Sequence, residues 1–453
     1  MNPVETTTVD TMTERMTVLG TGYLGATHAA GMAELGHEVL GVDVDVEKIA
    51  RLAAGDIPFF EPGLEELVER HLASGRLRFT TDMAEAAEFA TTHFVGVGTP
   101  QKKDSFAADM RYLDQVIETL GPLLTRPSVI FGKSTVPVGT AARLTARLRV
   151  IAPAGDQVDL AWNPEFLREG LALQDTLHPD RIVLGIDAAG PRLAEDVARR
   201  VYRTMLDDDT PFLVTDLQTA ELVKVAANAF LATKISFINA MAEVCEAAGA
   251  DVSVLADAIG HDVRIGRRFL NAGLGFGGGC LPKDIRAFMA RAGELGVDQA
   301  LTFLREVDAV NERRRGHAVN LAREASGGSL LGARVAVLGA AFKPESDDIR
   351  DSPSLAVAGQ LHLEGADVAV YDPRAMANAR RVFPTLTYAD STQAACTGAD
   401  VVMIATEWAE FSRLVPADLD SVVARRSIVD ARNCLEPRQW SEAGWWYRGM
   451  GRS

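Results

Sequence analysis

Short apolar runs alternate with helical patterns along the first part of the chain, which predicts a parallel sheet with crossover helices. Strands are predicted at residues 15–19, 38–42, 93–97 and 128–132, and an Ala-rich helix is predicted up to about residue 35. Because open parallel sheets bind ligands beyond the carboxyl ends of their strands, the polar loops after these strands are candidate site elements.

The pattern changes near residue 210 to one long helical stretch from Asp216 to about Ala248, with Thr215 or Asp216 as its N-cap. Lys224 and Asn228 are four residues apart, so they share one face of this helix. A helix that is apolar nearly all round is normally buried, which predicts that both side chains are buried. Such a long helix is also a candidate dimer surface.

The last third of the chain repeats the opening pattern, with strands predicted at residues 334–339, 365–372 and 398–404. The first loop of this repeat, residues 340–353, lacks the glycines of a dinucleotide site, so a second dinucleotide is not expected there. Its positive charges suit a phosphate-bearing ligand. The predicted fold is therefore α/β, with two doubly wound Rossmann-like domains joined by a long central helix and a helical dimerisation region.

The predicted domain boundaries follow these changes of pattern. Residues 1–14 are expected to form a disordered tail, 15–210 the dinucleotide-binding domain, 211–325 a central helical domain and 326–453 the C-terminal domain. The tail is rich in Thr and acidic residues and has no apolar core, which is unlike a signal or transit peptide.

Composition narrows the class of protein and its partners. An apolar share of 47% with 24% charged residues is typical of a soluble protein, and no apolar run approaches the roughly 20 residues of a membrane span. A net charge of −16 argues against nucleic acid or an anionic membrane as partner. Four widely spaced cysteines predict a reducing cytoplasm, without disulfides and without a metal site.

Residues 20–25 read Gly-Thr-Gly-Tyr-Leu-Gly and lie between a predicted strand and a predicted helix, as in a dinucleotide fingerprint. Gly20 makes the turn, Gly22 lets the pyrophosphate approach, and Gly25 packs the helix on the sheet. Asp43 ends the next strand, where it can bond a ribose 2′-hydroxyl and repel a 2′-phosphate. The fingerprint therefore predicts NAD rather than NADP.

Two further strands end in loops that carry Thr99 and Thr135, and these residues are expected to border the nicotinamide. Threonine before proline also commonly starts an ordinary turn, so the pattern alone leaves both interpretations open.

Cys280 is the strongest candidate for covalent chemistry. Residues 275–284 read Gly-Phe-Gly-Gly-Gly-Cys-Leu-Pro-Lys-Asp, in which the glycines let a substrate come close to the sulfur. Pro282 is expected to open a helix, so the thiol would lie at a helix N-terminus with Lys283 nearby, and both favour a thiolate. The alternative is a buried structural cysteine beside a glycine turn.

Together these stretches resemble the nucleotide-sugar 6-dehydrogenase family (UDP-glucose/GDP-mannose dehydrogenases) over about residues 15–440. The matching segments are residues 20–25, 60–64, 134–140, 163–170, 221–228, 275–284, 342–343 with Arg350, and 430–432. The resemblance implies an NAD domain, a central helical dimer region and a C-terminal nucleotide-sugar domain, with the active site in the cleft between them.

The family's chemistry implies a role for each candidate catalytic residue. Oxidation of a primary alcohol at carbon 6 to a carboxylate removes two hydrides, and attack by Cys280 turns the aldehyde into a thiohemiacetal and then a thioester. Lys224 and Asn228 would stabilise the developing oxyanion. Asp284 would take the first proton through a water held by Thr135, and Glu165 would assist thioester hydrolysis.

The resemblance also implies two sets of binding residues. For NAD they are Gly20, Gly22, Tyr23, Leu24, Gly25, Asp43, Lys48, Thr99, Thr135, Glu169 and Arg350. For the nucleotide-sugar they are Glu165, Phe166, Leu167, Lys224, Asn228, Arg264, Phe276, Gly277, Lys343 and Arg432, with Arg264 reaching across a homodimer. Glu165 and Glu169 have the spacing of one helical turn, and they could equally be a solvated helix edge.

Several alternatives stay open at this stage. The segments around Arg264 and residues 269–273 resemble the UDP-glucose branch, whereas residues 281–284 also occur in the GDP-mannose branch, and Gly279 stands where many relatives have Ser. UDP-glucose and TDP-glucose differ by one methyl and are not separable. A two-electron hydroxyacid dehydrogenase or a non-enzymatic NAD-binding regulator are the alternatives of another class.

Overall fold

The computed structural model describes residues 13–452, so nearly all of the predicted N-terminal tail lies outside the described residues. The chain forms two compact units, one ending at Lys224 and the other beginning at Val225.

The strands, in chain order, are β1 Arg15–Leu19, β2 Glu38–Val42, β3 Leu77–Thr80, β4 Thr92–Val95, β5 Ser128–Gly132, β6 Val158–Trp162, β7 Ile182–Ile186, β8 Phe212–Asp216, β9 Arg334–Leu338, β10 Asp367–Tyr371, β11 Thr387–Tyr388, β12 Val401–Ile404, β13 Ser427–Asp430 and β14 Trp446–Gly449.

The α-helices are α1 Tyr23–Glu34, α2 Val46–Ala53, α3 Leu64–Ser74, α4 Met83–Phe89, α5 Arg111–Leu120, α6 Thr140–Ile151, α7 Ala172–Leu177, α8 Leu193–Val201, α9 Arg203–Asp207, α10 Leu217–Ala248, α11 Val252–Gly260, α12 Leu281–Glu294, α13 Phe303–Ala325, α14 Pro353–Leu363, α15 Met376–Val382, α16 Thr392–Cys396, α17 Ala409–Ser412, α18 Pro416–Leu419 and α19 Pro437–Glu442.

The N-terminal unit contains an eight-stranded sheet in the order β3-β2-β1-β4-β5-β6-β7-β8. Its pairings are parallel except between β6 and β7. The strand order reverses beside β1, and at such switch points the loops diverge and leave room for a ligand. Both faces of the central strands carry apolar clusters, as the near-continuous apolar runs predicted.

The predicted strands 15–19, 38–42 and 128–132 are confirmed at the same bounds. The strand predicted at 93–97 instead spans Thr92–Val95. The Gly96 N–H still donates to the Leu19 carbonyl of β1 at 2.9 Å, and beyond it the chain leaves the sheet.

The C-terminal unit contains a six-stranded parallel sheet in the order β11-β10-β9-β12-β13-β14, which confirms the second doubly wound fold. Asp372 follows β10 as Asp43 follows β2. Its carboxylate is only 1% exposed and accepts hydrogen bonds from the backbone N–H groups of Ala340 and Ala341 and from the indole of Trp408. The acceptor that a ribose would need is therefore already used by the chain itself.

Helix α10 confirms the long predicted helix, and Asp216 is its N-cap, accepting a hydrogen bond of 2.8 Å from the Thr219 N–H. Lys224 and Asn228 are 5% and 7% exposed, so their predicted burial is confirmed. Among the described residues α10 is the one helix whose length and apolar composition would suffice to cross a bilayer, and 44% of that apolar window is buried within the protein.

His93 is a buried polar residue in the centre of the N-terminal sheet. It pairs in register with Thr17, whose hydroxyl lies 2.7 Å from its Nδ1, and its Nε2 has no hydrogen-bond partner. Burial, together with the charge of Arg126, lowers its pKa to about 3. The folded protein therefore keeps this imidazole neutral at pH values where an unfolded chain protonates it.

This difference predicts a pH dependence of stability. Below about pH 6.5, His93 is protonated in the unfolded chain but stays neutral in the folded protein. Each further unit of acidification therefore lowers the free energy of unfolding by about 1.4 kcal/mol. In His93→Asn, urea unfolding measured at pH 7.5 and 5.5 should show a smaller loss on acidification. Substitution of the exposed His261 by Asn is the control. An undiminished loss in His93→Asn would contradict the assignment.

Candidate active site

The glycine loop of the N-terminal unit has the geometry that a dinucleotide requires. Gly20 has φ +92°, a left-handed conformation, and a Cβ on Gly25 would overlap the Gly20 carbonyl oxygen. A Cβ on Gly22 would meet no atom within 4 Å. The loop is thus closed where the helix packs on the sheet and open where a pyrophosphate would lie, so the residues present fit NAD.

Asp43 lies at the end of β2 and faces this loop. It accepts hydrogen bonds from the Thr21 N–H at 2.9 Å and from the Lys48 ammonium at 2.9 Å. Burial acts to raise its pKa, but the hydrogen bonds from Lys48 and Thr21 outweigh burial and lower it. Asp43 is therefore ionised at neutral pH and can accept from a ribose hydroxyl.

Thr99 and Thr135 are brought together, since the Thr99 hydroxyl donates to the Thr135 carbonyl at 2.7 Å. The Thr135 loop is fixed by a residue without a role in the sequence prediction. Glu221, only 1% exposed, accepts hydrogen bonds from the N–H groups of Gly139 at 2.7 Å and Ala141 at 2.6 Å. Gly139 and Ala141 lie at the N-terminus of α6, so the Glu221 carboxylate joins the Thr135 loop to α10.

Two predicted catalytic residues of the N-terminal unit form an ion pair. The Lys224 ammonium lies 3.1 Å from Oε1 of Glu165, with side-chain exposures of 7% and 12%. The other oxygen of Glu165 accepts from the Leu167 N–H at 2.6 Å, and the Lys224 ammonium lies 5.7 Å from the Phe166 ring centroid. This cluster presents a shielded carboxylate and ammonium side by side, the groups needed to move a proton and to stabilise an oxyanion.

The segment that carries Glu165 is not helical, so the expectation that Glu165 and Glu169 share a helix face is wrong. The backbone N–H groups of this segment are bonded to carboxylates instead of to helical carbonyls: Leu167 donates to Glu165, and Gly170 donates to Glu61. Helix α7 begins only at Ala172.

Glu61 holds this non-helical segment in place and was not predicted as a site residue. Its buried carboxylate accepts from the N–H groups of Gly170 at 2.7 Å and Ala172 at 2.7 Å. Tyr23 of the glycine loop also bonds the Glu61 carboxylate, and the Tyr23 hydroxyl accepts from the Gly170 N–H at 3.0 Å. Burial and the Glu61 carboxylate raise the pKa of Tyr23, so it stays a phenol. One carboxylate thus joins the cofactor loop to the Glu165 segment.

A buried lysine lies behind the same segment. Lys133 follows β5, and its ammonium donates to Asn163 at 2.9 Å and to the Tyr202 hydroxyl at 3.4 Å. Burial lowers its pKa to about 8, with the charge of Glu165 acting in the opposite direction. A cavity beside this network is lined by Lys133, Asn163 and Glu165 and by His28 and Met32 of α1.

In the C-terminal unit, Cys280 is the exposed cysteine among four free cysteines. It is the N-cap residue of α12, which begins at Leu281 with Pro282 in its first turn. The prediction that the thiol lies at a helix N-terminus is confirmed. Burial raises the pKa of Cys245 and Cys396, so those two remain thiols.

Asp284 and Asn228 meet one helical turn beyond Cys280. The Asp284 N–H donates to the Cys280 carbonyl at 3.0 Å, and the Asp284 carboxylate, 2% exposed, accepts from the Asn228 amide at 2.7 Å. Lys283 bonds the other oxygen of Asp284 at 2.5 Å. The positive charge of Lys283 therefore lies next to the Asp284 carboxylate. This carboxylate, bonded to Asn228, is a buried hydrogen-bond acceptor one helical turn from the candidate nucleophile Cys280.

The segment before Cys280 is held by two buried asparagines. Asn311 of α13 receives the Phe276 N–H at 2.7 Å and returns a hydrogen bond to the Phe276 carbonyl at 2.9 Å. Asn239 of α10 accepts from the Gly273 N–H at 2.9 Å. In the sequence these asparagines stand out only as amides among buried apolar helix positions. That pattern does not show which backbone groups they bond.

The predicted cationic residues are paired within the chain. Lys48 bonds Asp43, Arg264 bonds Asp262 and Arg350 bonds Asp348. Arg432, with 11% side-chain exposure, donates to the carbonyls of Ala405 at 2.7 Å, Gly275 at 3.1 Å and Phe342 at 3.3 Å. The Lys343 ammonium lies 5.6 Å from the Phe342 ring centroid. In residues 13–452 no group of three or more His, Cys, Asp and Glu side chains could hold a metal ion.

Comparison with known proteins decides the family. Three successive segments match the UDP-glucose/GDP-mannose dehydrogenase family: its NAD binding domain at residues 14–206, its central domain at 218–313 and its UDP binding domain at 336–437. The chain belongs to the UDP-glucose/GDP-mannose dehydrogenase family. Its NAD dependence and its nucleotide-sugar substrate, both predicted from sequence, are confirmed by these domains.

This dehydrogenase is 41% identical over 438 residues to a UDP-glucose 6-dehydrogenase of Rhizobium meliloti (strain 1021), covering 97% of this chain and 99% of the relative. A solved UDP-glucose dehydrogenase from Pyrobaculum islandicum matches with a TM-score of 0.89 and 39% identity over 100% of both chains. A GDP-mannose dehydrogenase from Pseudomonas aeruginosa matches with a TM-score of 0.53 and 27% identity over 96% of this chain and 99% of that one.

Glu61 of this dehydrogenase gives a direct test of the site's support. In Glu61→Gln, an amide NH₂ would face backbone donors that now meet a carboxylate, at a cost of roughly 1–3 kcal/mol. Amide hydrogen exchange at Gly170 and Ala172 should become faster, as measured by mass spectrometry. Glu65→Gln, an exposed residue in the first turn of α3, is the control. Unchanged exchange in Glu61→Gln would show that the carboxylate does not hold the segment.

Proposed function

We propose that this protein oxidises the 6-hydroxymethyl group of UDP-glucose to a carboxylate and reduces two NAD per sugar. The observation that carries the proposal is the exposed thiol of Cys280 at the N-cap of α12, with the buried Asn228–Asp284 pair one turn further on. A two-electron dehydrogenase needs no such nucleophile. The similarity to UDP-glucose dehydrogenases over the whole chain supports the choice of substrate.

In the first oxidation, Asp284 accepts the proton of the 6-hydroxyl through a water held by Thr135. Lys224 and Asn228 stabilise the alkoxide that develops. The bound nicotinamide supplies the hydride acceptor. The buried state of Lys224 and Asn228 favours this role, because a donor in a water-poor site stabilises an oxyanion more strongly.

In the second oxidation, the thiolate of Cys280 attacks the aldehyde carbon and forms a C–S bond, and the carbonyl oxygen becomes the alkoxide of a thiohemiacetal. Loss of a hydride from that carbon to a second NAD restores the C=O bond and leaves a thioester. The N-terminus of α12 favours the thiolate form of the attacking sulfur.

The thioester is hydrolysed by a water from which Glu165 removes a proton. The water oxygen bonds to the carbonyl carbon, the C–S bond breaks, the carboxylate leaves and the thiolate of Cys280 is restored. The 3.1 Å ion pair with Lys224 holds the Glu165 carboxylate in place for this role.

The binding residues are proposed in two groups. NAD is held by Gly20, Gly22, Tyr23, Leu24, Gly25, Asp43, Lys48, Thr99, Thr135, Glu169 and Arg350. The nucleotide-sugar is held by Glu165, Phe166, Leu167, Lys224, Asn228, Arg264, Phe276, Gly277, Lys343 and Arg432. The division into domains at residues 15–210, 211–325 and 326–453 is proposed with them, and the four free cysteines suit a reducing cytoplasm.

The test is release of NADH from UDP-glucose, TDP-glucose and GDP-mannose at matched concentrations. UDP-glucose should give two NADH per sugar consumed, together with the uronic acid, and GDP-mannose should be a far poorer substrate. One NADH per sugar would indicate a two-electron dehydrogenase.

Cys280→Ser removes the thiol and should abolish formation of the uronic acid, stalling after the first hydride or holding a stable adduct. Cys434→Ser, which changes a cysteine outside the proposed site, is the matched control and should keep the two-to-one stoichiometry. Undiminished acid formation by Cys280→Ser would remove the mechanism.

We also propose a homodimer formed through α10. Phe230, Phe237 and Val244 recur every seven residues on α10 and are 66%, 49% and 57% exposed. Such a stripe on one helix face matches the seam of packed helices and is unusual on a monomer's surface. The Arg264 side chain is 86% exposed, so its guanidinium is available to a second copy, where it would reach the nucleotide-sugar.

Phe237→Glu should separate this dimer, because two charges would be buried in an apolar seam. Light scattering after size-exclusion chromatography should show the mass of one chain. Leu363→Glu, at an 86% exposed position on α14, should leave the mass unchanged. A Phe237→Glu protein of twice the chain mass would exclude α10 as the interface.

A further inference from the structure

The glycines before Cys280 face the protein itself. In the C-terminal unit they pack against residues 342–353, called here the 342–353 loop, which connects β9 to α14. A Cβ on Gly277 would overlap the carbonyl oxygen of Asp351. A Cβ on Gly278 would lie 2.8 Å from the Phe342 ring. These two glycines therefore permit close packing against the backbone of Asp351 and the ring of Phe342.

Gly279 makes a third contact with the same loop. A Cβ there would overlap the guanidinium of Arg350, whose Nε and terminal nitrogen are held by Asp348 at 2.9 Å and 2.7 Å. A backbone hydrogen bond of 2.9 Å runs from the Gly278 N–H to the Arg350 carbonyl. The absence of a side chain at Gly279 leaves the space that this guanidinium occupies.

Arg432 joins the two segments from a third direction. Its guanidinium donates to the Gly275 carbonyl at 3.1 Å, before the glycines, and to the Phe342 carbonyl at 3.3 Å, at the start of the 342–353 loop. The side chain is only 11% exposed, so these hydrogen bonds are largely shielded from water. The nucleophile's segment and the 342–353 loop are thus fastened together at both ends of the glycine run.

We propose that the 342–353 loop is the platform that positions Cys280, with Phe342, Arg350 and Asp351 as positioning residues. Lys343 belongs to the same loop, so a nucleoside diphosphate bound there changes the reactivity of the thiol. This effect of the nucleoside diphosphate rests on the proposed function, in which Lys343 binds the nucleotide-sugar. The catalytic thiol is then set in place by the part of the substrate that does not react.

The physical reason is that the glycines before Cys280 and the 342–353 loop are in close contact, so neither can move independently. Cys280 directly follows the packed glycines, and backbone in van der Waals contact cannot move without opening that contact. Lys343 is the neighbour of Phe342, and its ammonium lies 5.6 Å from the Phe342 ring centroid. An anion that draws Lys343 toward it acts on the ring that covers Gly278. Displacements of about 1 Å at a reacting group are large enough to change its rate about 100-fold.

The test is the rate of alkylation of Cys280 by iodoacetamide, followed by peptide mass spectrometry, with and without UDP. UDP carries the diphosphate but no glucose, so it lacks the part of the substrate that would cover the sulfur. In the wild-type protein UDP should change the rate by about fivefold or more. Gly277 lies outside the left-handed region, so alanine can adopt its backbone conformation, and its methyl group displaces the Asp351 carbonyl and the Pro353 ring. In Gly277→Ala the ratio of the two rates should fall to about one.

Gly293→Ala is the matched control, since it lies on the same helix as the nucleophile and a Cβ there meets nothing within 4 Å. It should keep the wild-type rates and their response to UDP. A wild-type rate that UDP leaves unchanged, although calorimetry shows UDP binding, would overturn this inference and leave the proposed function standing. Failure of UDP to bind would overturn both.

A double-mutant cycle keeps the test independent of how Gly277→Ala folds. Gly279→Ala should change the alkylation rate when Arg350 is present, because the new methyl displaces the guanidinium. In an Arg350→Ala background the same substitution should have no further effect. Equal effects in both backgrounds would show that Arg350 does not position the nucleophile's segment.

Discussion

The structure depends on the pairing of buried backbone N–H groups at the loops that carry its chemistry. An unpaired N–H in the interior costs free energy comparable to a lost hydrogen bond, so each loop needs an acceptor. Glu61 supplies it for the Glu165 segment, Glu221 for the loop after Thr135, and Asn311 for the segment before Cys280. None of these acceptors takes part in the proposed reaction. Each instead fixes the place of a residue that is proposed to do so.

The same arrangement recurs at the end of β13. The Asp430 carboxylate is fully buried and accepts from the N–H groups of Arg432 at 3.2 Å and Leu435 at 2.8 Å and from the Tyr447 hydroxyl at 3.0 Å. Burial raises its pKa, and these hydrogen bonds act against burial. The turn that they close directs Arg432 toward Gly275 and Phe342. A single carboxylate therefore fixes the arginine that joins the nucleophile's segment to the 342–353 loop.

Glycine has two different uses in this protein. In the N-terminal unit, Gly22 faces open space and Gly25 allows a helix to approach the sheet, which is the arrangement that a dinucleotide needs. In the C-terminal unit, the 342–353 loop occupies the space where side chains of Gly277 and Gly279 would lie. The first use is recognisable from spacing within one βαβ unit. The second depends on a partner segment about 70 residues away, which no local pattern announces.

The sequence by itself determined the fold class, seven of the fourteen strands in the described residues and the candidate residues, because apolar periodicity and glycine spacing are local properties of the chain. Glycine context and helix spacing singled out Cys280, Lys224 and Asn228, resemblance to a family implied their roles, and the structure shows the last two buried. Only the tertiary structure decided what each side chain touches: Lys224 pairs with Glu165, and Asn228 with Asp284. It also decided that the Glu165 segment is not helical. Those outcomes depend on which polar groups from distant parts of the chain need a hydrogen-bond partner. Pairing between such distant groups cannot be recognised from any single stretch of sequence.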